Sequence, residues 1–84
     1  MSVDLQSALR AIWRDVLSVS AVASDDNFFN LGGDSILSMV LLMKVEEDCG
    51  VILDPGVLFE YPDFAGFCRH IALVAGQDSL AVDG

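Results

Sequence analysis

The sequence predicts an all-α protein: a bundle of three main helices and one short one, with a long loop between the first two. Apolar side chains recur every three to four residues in three separate segments. No segment sustains the alternation of a half-buried strand. Gly, Pro, Asp and Asn gather between the periodic segments, where turns belong.

Leu5, Leu9, Ile12 and Val16 form one face of a first helix over about residues 3 to 18, widened by Trp13 and Leu17. Asp4, Arg10, Arg14 and Asp15 take the other side. Residues 18 to 34 are rich in Ser, Asp, Asn and Gly and read as a long loop. Loops of this length in a small domain are functional or tied down, and Phe28, Phe29 and Leu31 are the expected ties. Asp34 or Ser35 caps a second helix over about 35 to 49, which Gly50 ends in a left-handed conformation. Asp54-Pro55-Gly56 is a turn, and Val57 to Glu60 fit one helical turn. Asp63 caps a last helix to about Ala75, with Phe64, Phe67, Ile71 and Val74 on one face. Gly76 is expected to stop it. Residues 1–76 would then be the domain, and 77–84 a flexible tail or linker stub.

The second helix is apolar on two sides. Leu41, Leu42, Val45 and Cys49 make one stripe, while Ile36, Met39, Val40 and Met43 lie mostly away from it. Three main helices cannot wrap one of their own number, so the second patch is expected to stay accessible for a partner. Its two methionines suit a surface that accepts several shapes. The alternative is that the patch is core and the helix phase is shifted.

The 84 residues carry a net charge of −9, with Arg10, Arg14, Lys44 and Arg69 the only basic residues. Such a chain repels phosphate backbones and anionic lipid, so no nucleic acid and no membrane surface is expected as partner; basic protein partners are. Met1-Ser2-Val3-Asp4 lacks the basic start of a signal peptide. The apolar run from Ile36 to Val45 is too short to span a bilayer. A cytoplasmic location is expected, with Cys49 and Cys68 as buried free thiols rather than a disulfide. One His and two scattered Cys offer no metal-ligand spacing.

Ser35 admits four readings. It caps a helix after a Gly-rich loop. It is a hydrolase nucleophile, but Leu37 stands where the elbow pattern needs its second Gly, and the single His70 has no evident link to it. It ends an anion-binding loop, but no P-loop Lys is present and Asp34 opposes phosphate. Or it is an accessible serine that another enzyme modifies. Gly32 and Gly33 bend the chain and leave no side chain in the way, an apolar helix face lies beside it for docking, and acidic surface recruits basic enzymes. The domain is then a substrate and not an enzyme.

The stretch Asp26-Asn27-Phe28-Phe29-Asn30-Leu31-Gly32-Gly33-Asp34-Ser35-Ile36 resembles the core motif of thiolation domains. These are the peptidyl carrier proteins of nonribosomal peptide synthetases and the related acyl carriers of polyketide and hybrid synthases. The resemblance continues through Leu41, Val45 and Gly50 to Leu58-Phe59-Glu60-Tyr61-Pro62 and Asp63-Phe64-Ala65-Gly66-Phe67, about residues 5 to 75. It implies a four-helix carrier bundle. It implies that a phosphopantetheinyl transferase moves the 4'-phosphopantetheine of coenzyme A onto Ser35, flanked by Gly33 and Asp34. The arm would carry aminoacyl, peptidyl or acyl groups as thioesters to adenylation, condensation, ketosynthase or thioesterase domains. The docking contacts would be Asp34, Ile36, Met39, Val40 and Met43, on a monomeric domain with no catalysis of its own. The Gly pair, Phe28-Phe29 and Phe59-Glu60 look peptidyl-carrier in type, while Glu46-Glu47-Asp48 looks closer to acyl carriers.

Overall fold

The computed structural model describes residues 5–83, with side chains through Ala75. Four helices follow in order: α1 (Leu5–Leu17), α2 (Ser35–Cys49), α3 (Val57–Glu60) and α4 (Phe64–Asp83). The one extended contact among the described residues is an isolated bridge between Asn27 and Asp63. The expected all-α class holds.

α1 buries Leu9, Ile12, Trp13 and Leu17. Ser18, placed inside the helix by its pattern, instead adopts φ 57°. This left-handed residue closes α1, and Val19 N–H donates back to Arg14 O at 3.1 Å. Val3 and Asp4, the expected first turn, lie outside the described residues. The core gathers those α1 residues with Leu41 and Val45 of α2, Val57 and Leu58 of α3, and Phe64, Phe67 and Ile71 of α4. Trp13 is its centre. Its ring meets Phe28 at 5.3 Å, Phe64 at 5.1 Å and Phe67 at 5.5 Å. Its Nε1 has no hydrogen-bond partner among the described residues, so ring contacts hold the indole in place. Truncating such a side chain costs about 3–5 kcal/mol.

The long loop is tied as expected, and by more than its apolar side chains. Phe28 is fully buried, and Phe29 and Leu31 pack against the core. Phe28 N–H donates to Pro62 O at 2.7 Å, Phe64 N–H to Asp26 O at 2.9 Å and Ala65 N–H to Ser24 O at 2.9 Å. These bonds fasten the loop to the start of α4, whose Gly66 N–H is capped by Asp63 Oδ2 at 2.8 Å. Arg10 clamps it from α1: its Nε donates to Val22 O at 2.9 Å and its guanidinium lies 4.7 Å from the centre of the Phe64 ring.

Two further expectations need correction. α4 does not stop at Gly76 but continues to Asp83. A helical glycine costs about 1 kcal/mol relative to Ala, and Gln, Leu and Ala beyond it restore helix propensity with no Pro to block the path. The cysteines form no disulfide, but both are half-buried instead of buried.

Candidate functional site

α2 begins where the loop's turn chemistry forces it to. Asn27 Oδ1 accepts from Phe29 N–H at 2.8 Å and from Asn30 N–H at 3.2 Å, folding the chain back so that Leu31 N–H reaches Asn27 O at 3.0 Å. Gly32 then takes φ 106°, a conformation that a residue with a Cβ rarely adopts. Gly33 has a different reason for lacking a side chain. A Cβ there would run into the ring of Phe28 and stand 2.7 Å from its carbonyl oxygen. Leaving Ser35 open to an enzyme is the task expected of both glycines. In the structure Gly33 is glycine because the buried Phe28 ring occupies the space.

Asp34 is the N-cap. Its backbone is extended, at φ −146° and ψ −172°, and its Oδ1 accepts from Leu37 N–H at 2.9 Å. The capping role left open between Asp34 and Ser35 therefore falls to Asp34. That releases Ser35, the first residue of α2. It is exposed, its carbonyl accepts from Ser38 Oγ at 2.7 Å, and its hydroxyl makes no hydrogen bond among the described residues. Buried Ser38 thus turns its hydroxyl back on the helix. The helix ends at Gly50, φ 72°, whose N–H donates to Glu46 O at 2.9 Å.

The two stripes of α2 separate as expected. Leu41 and Val45 are fully buried, whereas Ile36, Met39 and Met43 are 72%, 62% and 59% exposed and Val40 is at the margin of exposure. Sequence reasoning missed how this patch continues. Met39, Leu42, Met43 and Glu46 border an open apolar groove of about 230 Å³, closed on its other side by Ile52, Leu53 and Pro55. The available signal was Val51-Ile52-Leu53, an apolar run with no helix to bury all of it; only Val51 is fully buried.

The His70 ring stacks on Tyr61 at 4.7 Å and 17°. No group of His, Cys, Asp and Glu suited to a metal ion occurs among the described residues, and no described helix is long and apolar enough to cross a membrane. Burial, with the Asp48 carboxylate as a lesser cause, pushes the Cys49 thiol up from its ordinary range, which makes it a poorer nucleophile at neutral pH.

Residues 7–71 match the protein family described as the phosphopantetheine attachment site. The chain is 38% identical over 71 residues to the dimodular nonribosomal peptide synthase of Bacillus subtilis, a match that covers 84% of this chain and 3% of that protein. It is 41% identical over 67 residues to a surfactin synthase component of the same organism, covering 80% of this chain and 2% of the relative. The chain thus spans a few per cent at most of the length of these relatives. Among solved structures, the complex of the phosphopantetheine transferase Sfp with coenzyme A and a peptidyl carrier protein contains a chain similar to this one. The TM-score is 0.78 at 32% identity, over 87% of this chain and 95% of that one. The acyl carrier protein BlmI of Streptomyces verticillus, involved in bleomycin biosynthesis, gives a TM-score of 0.76 at 32% identity, over 82% of this chain and 83% of that one.

Proposed function

As this chain belongs to the family of phosphopantetheine attachment-site domains, and is a carrier domain of the nonribosomal peptide synthetase type, we propose that Ser35 Oγ is the atom that takes the 4'-phosphopantetheine of coenzyme A. The observation that carries the assignment is the exposed hydroxyl at the first residue of α2, without a hydrogen bond among the described residues and inside the matched segment. In the transfer, Ser35 Oγ forms the new P–O bond, the pyrophosphate bond of coenzyme A breaks, the nucleotide half leaves as adenosine 3',5'-bisphosphate, and the serine proton passes to a base on the transferase. The chain's own residues fit the product. With the arm attached, its phosphodiester would lie at the N-terminus of α2, where the helix dipole favours negative charge; Asp34 is engaged with Leu37 N–H, and Gly33 holds the backbone close against Phe28.

The arm supplies a terminal thiol that holds an aminoacyl, peptidyl or acyl group as a thioester. The domain's part is to present it. Tethering replaces diffusion with a high local concentration, and the partner enzymes perform the catalysis. A phosphopantetheinyl transferase and adenylation, condensation or thioesterase domains are the partners of this reading, with ketosynthases in hybrid lines. Ile36, Met39, Val40 and Met43 form the docking face, with Asp34 at its head. The exposure of four apolar side chains on one helix supports this, because a small domain gains nothing from leaving them in water. Two thiols without a disulfide suit a reducing, cytoplasmic compartment.

Intact-mass measurement tests the assignment. Coenzyme A and a promiscuous transferase should add one phosphopantetheine to the wild type and none to Ser35→Ala, which should melt within about 2 °C of wild type, as expected of a surface change. A wild type left unmodified under conditions that load a control carrier would overturn it, and would favour a helical adaptor that acts without covalent change.

A further inference from the structure

Phe59 is 63% exposed on α3, an element already anchored by buried Val57 and Leu58. Its ring stacks on Phe29 at 5.2 Å and 23°. Phe29 meets Phe28 edge-on at 5.4 Å, and Phe28 meets Trp13 at 5.3 Å. Four rings therefore run in one chain from the centre of the core to the surface. The backbone of the two middle residues holds the end of the loop: Phe28 O accepts from Gly33 N–H at 3.0 Å and Phe29 O from Gly32 N–H at 3.2 Å. From Gly33 the chain passes through Asp34 directly into Ser35. Full burial locks Phe28. Phe29 is half-buried, and the ring stacked on it is that of Phe59.

We propose that Phe59 is a positioning residue for the modification of Ser35, acting through Phe29 to hold the Gly32-Gly33 turn in the conformation that presents the serine. The inference rests on Ser35 being the modified residue. An aromatic pair of this geometry contributes modestly, enough to bias a local turn and too little to govern the whole fold. The exposed ring thereby acquires a structural reason that burial does not provide, and α3 acquires a role in setting a serine on a different helix.

The test measures transferase kinetics by intact mass, with amide hydrogen exchange on the unmodified protein. Phe59→Ala should lower kcat/KM for phosphopantetheine transfer about 5-fold, the effect of losing one aromatic pair, while its melting temperature falls by about 5 °C and no more. Phe59→Tyr should restore the rate to within about twofold. Exchange at Gly32 and Gly33 should quicken about 5-fold in Phe59→Ala, with the α1 amides unchanged. Phe29→Leu should give the same loss, and adding Phe59→Ala to it should cost nothing more, since the two rings form one link. Additive losses, or a slower transfer with unchanged exchange, would mean that Phe59 touches the transferase directly and would overturn the inference. A Phe59→Ala variant modified at the wild-type rate would overturn it as well. An unmodified wild type, by contrast, removes the assignment of Ser35 itself.

Discussion

At Gly33 a methyl group has nowhere to go, because the Phe28 ring and carbonyl already fill the space. Gly33→Ala should lower stability by about 1–3 kcal/mol, the usual cost of overpacking, visible as a fall of roughly 5–15 °C in melting temperature. Gly32 has open space around it but φ 106°, so Gly32→Ala should be destabilising through backbone strain alone. Asp34→Ala removes the cap on Leu37 N–H and should cost about 1 kcal/mol, leaving Ser35 in place. The Gly-Gly pair and the Asp-Ser pair were legible in the sequence. Their division of labour was not, because a cap and a packing clash depend on which atoms meet. Cys49 shows the same limit. Burial raises its thiol pKa above the usual range, so the folded state keeps its proton longer than the unfolded chain. Its contribution to stability is complete below the ordinary thiol range and is lost as pH rises through the raised value. Iodoacetamide at about pH 8, near the ordinary thiol pKa, should therefore alkylate Cys49 more slowly than a fully exposed cysteine, as followed by peptide mass analysis.

Among the helices, α2 does two jobs on two faces. Leu41→Ala should cost about 2–5 kcal/mol, as expected for a fully buried leucine. Met43→Glu, on the exposed face, should leave melting and circular dichroism near wild type while slowing thioester transfer to a partner domain, read by the mass of loaded carrier over time. A collapse in melting would put Met43 in the core. Both faces were readable from spacing because helical periodicity assigns residues to stripes before any neighbour is known. The groove shared with Ile52, Leu53 and Pro55 escaped that reading, since a segment without period has no face until the fold brings it against a helix. The end of α4 escaped it for another reason. Gly76 is a weak stop signal whose local cost is small, and neighbouring residues outweigh it.

Over the molecule as a unit, charge is the dominant surface feature. A net −9 on 84 residues sets the chain against itself, and the Lys44–Asp15 pair at 3.5 Å is exposed and contributes little. Raising NaCl from about 0.01 to 0.5 M shortens the screening length from roughly 30 Å to under 8 Å, and should raise the melting temperature rather than lower it. The opposite trend would mean that ion pairs outweigh self-repulsion. The all-α class, the starts of α2, α3 and α4, the aromatic ties of the loop and the acidic character of the surface were all present in the order of residues. They follow from short-range periodicity, capping chemistry and composition. Folding in three dimensions settled that Asp34 and not Ser35 serves as the cap, that Phe28 dictates Gly33, and that an aromatic chain links α3 to the serine's loop. Those outcomes turn on which atoms meet once the chain is packed, and no local pattern encodes which ring will stack on which.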